Sequence, residues 1–129
     1  VTDIGMDKLL KNTRLVKFKI YSCISITDES FVQLKNHTDL KILYMDFCKS
    51  ITNRSLFEIF RKCNKIEKLS MNQTLANNDT IVTCAIHLPK IKELYVDYCQ
   101  YVTFKNISSI RNQKYFRNLQ KFSKQKITY

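Results

Sequence analysis

Three cysteines keep one place in a recurring phrase: "IYSCISIT" at 20–27, "MDFCKSIT" at 45–52 and "VDYCQYVT" at 96–103. Cys23, Cys48 and Cys99 could be metal ligands, halves of disulfides, nucleophiles or packing residues. Thr74 holds the remaining place in the column. Threonine suits a small, hydrogen-bonding, inward role and does not suit zinc, which takes His, Cys or carboxylate. Cys63 and Cys84 fall elsewhere, no CxxC or HxxxH occurs, and His37 and His87 stand apart. No Cys-His or Ser-His-Asp arrangement is legible. Asp46 and Asp97 share a column two periods apart, and the recurrence accounts for them without paired-carboxylate catalysis. The expectation is a chain that is not an enzyme and holds no cofactor or metal.

The recurrence extends far beyond the cysteines. Leu15, Leu40, Ile66 and Ile91 align, as do Phe18, Leu43, Leu69 and Leu94, and then Ile20, Met45, Met71 and Val96. The steps are 25, 26 and 25 residues. The same register gives three further columns: Val1, Ile26, Ile51, Asn77 and Val102; Met6, Phe31, Leu56, Val82 and Ile107; Leu9, Leu34, Ile59, Ala85 and Ile110. Within a unit, alternating Leu43 and Met45 suit a strand with one buried face. Thr27-Asp28 suits a helix start, with Glu29 near its positive end and Asn53 and Asp79 in the same capping column as Asp28. Phe31 and Leu34, three apart, share a helix face. No such unit can bury its apolar side alone, so neighbours must stack.

Written out, the unit is L-x-x-L-x-L-x-x-C-x-x-I-T-[DN]-x-x-Φ-x-x-L, with Φ apolar. This resembles the leucine-rich repeat, and its period lies in the range for that architecture. The resemblance is to the cysteine-containing subclass, found in F-box/leucine-rich-repeat proteins and Amn-like antagonists of mitotic exit. It implies an α/β fold: a right-handed solenoid or horseshoe of about four to five repeats, with parallel strands on the concave face and helices on the convex face. Repeat units fall near 1–25, 26–50, 51–76, 77–101 and 102–115, followed by a degenerate terminal repeat or cap with a basic tail at 116–129. Four strands are expected near 18–21, 43–46, 69–72 and 94–97, and helices near 3–11, 28–36, 53–62, 78–87 and 104–114. The third unit, "SMNQTLANNDTIVTC", loses the cysteine, the I-T pair and the helix-start glutamate, so a deviant loop is expected there.

The resemblance gives the cysteine column its role. In this family the position is Asn or Cys, turned inward at the strand-to-helix bend. Stacked repeats bring Cys23 and Cys48 about one strand spacing apart, ~5 Å, where a disulfide is geometrically open. The structural reading of Cys23, Cys48, Thr74 and Cys99 is the expectation, and reduced inward thiols point to a reducing compartment.

On each strand the side chains between the buried ones face the concave side. These columns are Lys17, Ile42, Lys68 and Glu93; Lys19, Tyr44, Ser70 and Tyr95; and Tyr21, Asp46, Asn72 and Asp97, flanked by Phe47 and Tyr98. Tyrosines among mixed charges suit a protein-binding face, because tyrosine offers rigid contact area with a polar end. The expected partner-binding residues are Tyr21, Tyr44, Asp46, Tyr95 and Asp97. The tyrosines would supply apolar area, and the aspartates would select basic or hydrogen-bonding groups.

Composition bounds the alternatives. One glycine (Gly5) and one proline (Pro89) in 129 residues exclude collagen-like and linker classes and every Gly-rich phosphate loop. No membrane span or signal peptide is visible, and the chain opens on Val1 inside the pattern, as a fragment would. The formal charge is +11, and seven cations after Asp97 (Lys105, Arg111, Lys114, Arg117, Lys121, Lys124 and Lys126) face no acid. Such a tail suits an anionic partner or a solvated helix face; nucleic acid has no recognised fold to support it. N-x-[ST] occurs at Asn36, Asn53, Asn72, Asn78 and Asn106, which keeps an extracellular location open.

The resemblance implies the substrate-recognition repeats of an SCF-type, cullin-based ubiquitin ligase, cytoplasmic or nuclear. The protein target would sit on the concave face, and a Skp-type adaptor would bind only through an F-box, which these residues lack. The alternative is a mitochondrial matrix assembly or structural protein, similar to the ATP synthase factor B and complex I assembly families.

Overall fold

Each helix begins where a short polar side chain can cap it. Thr2, Thr27, Thr52 and Asn77 have extended backbones, and their side chains accept from the N–H groups of Gly5, Glu29, Arg54 and Thr80. They satisfy donors that a first turn leaves without a carbonyl. The computed structural model describes residues 2–103 and 116–125. In it these caps open α1 (Asp3–Asn12), α2 (Asp28–Phe31), α3 (Asn53–Lys62) and α4 (Asn78–His87). The sequence-based capping column was Asp28, Asn53 and Asp79; the caps lie earlier, because Asp28 and Asn53 are already helical and Asp79 is inside the first turn of α4. α3 and α4 have the expected bounds. The expected helix 28–36 is instead α2 followed by a 3-10 helix, Val32–Asn36. The expected helix 104–114 lies outside the described residues.

Between the helices run β1 (Lys17–Lys19), β2 (Ile42–Tyr44), β3 (Lys68–Ser70), β4 (Glu93–Tyr95) and β5 (Lys121–Ser123). They form one five-stranded, all-parallel sheet in chain order. Phe18, Leu43, Leu69, Leu94 and Phe122 are matched across it. The first four strands start one residue before the expected ranges and stop two residues short. The cause is the bend. The chain turns at Ser22, Phe47, Gln73 and Tyr98, with φ of 56°, 63°, 51° and 59°. Before turning, it still bonds sideways, as in Ile20 N–H to the Tyr44 carbonyl at 2.9 Å and Ser22 N–H to the Asp46 carbonyl at 2.9 Å. β5 is a fifth strand where four were expected: the segment read as a degenerate cap continues the sheet, with Phe116 buried beneath it.

The layers close on one apolar core. Phe18, Leu43, Leu69 and Leu94 meet Met45, Met71 and Val96 from the bends, and Met6, Phe31, Leu34, Leu56, Ile59, Phe60, Ile81 and Cys84 from the helical side. Each such side chain contributes roughly 1.5–3 kcal/mol by leaving water. Three columns need correction. Ala76 and Ile81 are the buried members, not Asn77 and Val82, because the third bend is one residue shorter between Thr74 and Ala76 than between Cys48 and Ile51. In α1, Leu10 is buried and Leu9 is exposed.

A polar ladder ties the helix starts together. The Asp3 carboxylate accepts from Thr27 N–H, Thr27 hydroxyl and Ser30 hydroxyl. Asp28 repeats this with Thr52 N–H, Thr52 hydroxyl and Ser55 hydroxyl. Asn53 takes the next place, donating to Asn77 and accepting from Thr80, and Asn78 reaches Thr103. Ser30, Ser55 and Thr80 are buried, so these bonds satisfy hydroxyls that would otherwise be costly. Among the described residues no buried side-chain polar atom lacks a partner, and no helix is long and apolar enough to cross a membrane.

Candidate functional site

Among the described residues, one face of the sheet has no helix over it. The middle residue of each of the first four strands points into the core, so its neighbours point the other way. Lys17, Lys19 and Lys121 are exposed on that face, and Ile42, Tyr44, Lys68, Glu93, Tyr95 and Ser123 are half-buried. Parallel register places Lys19, Tyr44, Ser70, Tyr95 and Ser123 in one row.

The two tyrosines have different neighbours. The Lys19 ammonium lies 4.7 Å from the centre of the Tyr44 ring, a cation–π contact. The Tyr95 hydroxyl donates to Glu93 Oε1 at 2.6 Å, and Lys68 Nζ reaches Glu93 Oε2 at 3.3 Å. The bond to Glu93 holds the Tyr95 proton and pushes its pKa up to about 12; the same bond, then Lys68, holds the Glu93 carboxyl below its usual range.

The third row lies just past the strands, in the bend. Asp46 Oδ1 accepts from Ser70 Oγ at 2.6 Å and Asn72 N–H at 2.9 Å. Asn72 Oδ1 accepts from Asp97 N–H at 2.7 Å. Asp97 Oδ1 accepts from Ser123 Oγ at 2.6 Å and Gln125 N–H at 2.8 Å. Sequence reasoning assigned both aspartates to selecting a partner's groups; in the structure each also fastens the next strand. Tyr21, first in this row, is exposed and has no carboxylate to take part. The five expected binding residues therefore share one face and its margin. Tyr44 and Tyr95 stand on strands, Asp46 and Asp97 in the bends, and Tyr21 at one end.

Behind the face, the cysteine column turns inward. Cys23 and Cys48 donate to the Tyr21 and Asp46 carbonyls at 3.3 and 3.7 Å. Thr74 and Cys99 both donate to the Met71 carbonyl, at 2.7 and 3.0 Å. The column thus answers bend carbonyls, and Thr74 does so as cysteine does. Burial pushes the Cys48 thiol up to about 11 and raises Cys99; Cys63, bonded to the Leu34 and His37 carbonyls, is pushed up to about 12. All five thiols are free, and Cys23 is half-buried rather than buried. Among the described residues no three His, Cys, Asp or Glu side chains gather as a metal site. His37 is buried between α1 and β1: Nδ1 accepts from Leu15 N–H at 3.1 Å, which leaves Nε2–H to donate to the Leu10 carbonyl at 3.1 Å.

Two features escaped sequence reasoning. The left-handed bends carry Ser22, Phe47, Gln73 and Tyr98, with no glycine to announce them. The helix-start ladder was announced, by the recurring T-[DN]-x-S of 27–30 and 52–55, but was read as capping alone. A depression of about 140 Å³ beside the face, lined by Lys49, Gln73, Thr74, Leu75, Tyr98 and Gln100, is small against the ~300–1,000 Å³ of ligand pockets. No family model matches the chain.

Proposed function

We propose that this chain is a leucine-rich-repeat solenoid of the cysteine-containing kind and that it works as a protein-interaction module. The observation that supports this best is the parallel sheet with one open face. All-parallel sheets ordinarily have both faces covered. Here successive units align strand centre on strand centre, and the uncovered side presents Tyr44 and Tyr95 in one row. Repeat stacks leave such a surface, and they use it for binding. The tyrosines supply contact area, Tyr21 extends it, and Asp46 and Asp97 shape its margin.

The specific reading is the target-recognition repeats of an SCF-type F-box/leucine-rich-repeat ubiquitin ligase. It rests on the repeat motif and on no feature of the face. The test is affinity purification of the full-length protein, probed for a Skp-type adaptor and a cullin, beside a Tyr44→Ala/Tyr95→Ala variant. The ligase reading predicts that both variants recover the adaptor and that only the wild type recovers the target. Absence of the adaptor removes the ligase assignment. Equal target recovery by a folded double variant removes the face. A hot-spot tyrosine is worth about 2 kcal/mol or more of binding, enough to make the loss visible.

A further inference from the structure

The charge of this protein is unevenly layered. The helical layer, α1 to α4 with the 3-10 helix, carries six acidic and six basic residues. The five strands carry four lysines and one glutamate, all on the open face. Glu93 is occupied by Lys68 at 3.3 Å and by the Tyr95 hydroxyl. Lys17, Lys19 and Lys121 form no ion pair among the described residues, and all three are exposed. The two aspartates at the margin keep their charge, but they lie past the strand ends in the bends, each with one oxygen committed to the neighbouring strand, and they leave the strands themselves basic.

We infer that the open face takes an acidic, extended segment of a protein partner, laid across the strands. This rests on the interaction reading and adds the chemistry of the partner. Lys17 and Lys19 stand at one end of the sheet and Lys121 at the other, with Tyr44 and Tyr95 between. Four strand spacings of ~4.8 Å separate the ends, roughly 19 Å, which an extended segment of about six residues spans at ~3.3 Å each. Carboxylates at its ends meet lysines, and apolar side chains in its middle meet the tyrosine rings. Charge of this kind chiefly sets partner choice and association rate.

The test uses the whole chain and a fluorescein-labelled glutamate–alanine peptide, with its glutamine–alanine counterpart and an oligothymidylate of matched length as controls. Two variants remove equal charge: Lys17→Gln/Lys19→Gln on the open face and Arg61→Gln/Lys62→Gln on α3. The glutamate peptide should bind over both controls and lose about fivefold in affinity only with the sheet variant, the scale of two exposed charge pairs. Equal losses from both variants would reduce the effect to net charge and overturn the proposal. Tighter oligothymidylate binding with the same lysine dependence would assign the face to nucleic acid and overturn it too, as would no glutamate binding. Target recovery that needs Tyr44 and Tyr95 but not Lys17 and Lys19 would leave the interaction module standing and remove the acidic partner alone.

Discussion

Asp28 holds three donors of the following repeat: Thr52 N–H, Thr52 hydroxyl and Ser55 hydroxyl. Ser55 is fully buried, and without Asp28 its hydroxyl keeps only the longer 3.3 Å bond to the Thr52 carbonyl. Asp28→Ala should cost about 1–3 kcal/mol in urea unfolding. Asp28→Asn should cost less, because Asn53 fills the same column one repeat on. A loss as large for Asn as for Ala would contradict the ladder. Asp3 predicts a pH effect. The Ser30 hydroxyl, then the Thr27 N–H, holds its carboxyl below the usual 3.8. A carboxyl depressed in the folded state stabilises above its unfolded pKa, and the gain is lost as pH falls through the folded value. The melting temperature should therefore drop as pH falls below the ordinary 3.8 of the unfolded carboxyl, and Asp3→Asn should flatten that drop. An unchanged acid limb in the variant would place the sensitivity at other carboxylates.

The elements show where sequence reasoning succeeds and where it stops. The bounds of α3 and α4 were legible from the repeat period, although their caps, Thr52 and Asn77, stand one and two residues before the positions read as capping. The strand centres were legible from the alternation around Leu43 and Leu94. Strand ends were not, because Asp46 and Asp97 continue that alternation while the backbone is already leaving the ladder. β5 was hidden because Lys124 stands where the other units have the apolar Ile20, Met45, Met71 and Val96, so the strand is recognisable only once β4 offers an edge to pair with. The tyrosines of the face were named from the pattern; the ties of Asp46 and Asp97 to the next strand required coordinates. The bends make a further prediction. Ser22 is exposed at φ 56°, where a non-glycine residue costs roughly 1–2 kcal/mol, part of which glycine's extra unfolded freedom takes back. Ser22→Gly should raise stability by about 0.5–1 kcal/mol, read by thermal melting. A lower melting temperature would mean that the Ser22 side chain contributes contacts outweighing the strain.

At the scale of the whole molecule, a balanced helical layer stands behind a basic, tyrosine-bearing sheet whose other face no helix covers among the described residues. The account makes that sheet a recognition surface for another protein. The most direct measurement replaces Tyr44 by a photo-crosslinking phenylalanine analogue in the full-length protein, in cells, with the same analogue at Arg61 on α3 as the control. The account predicts a discrete protein adduct from position 44, lost when Tyr95→Ala is added, and none of that size from position 61. An adduct from position 61 alone, or the same adduct from both positions, would contradict it.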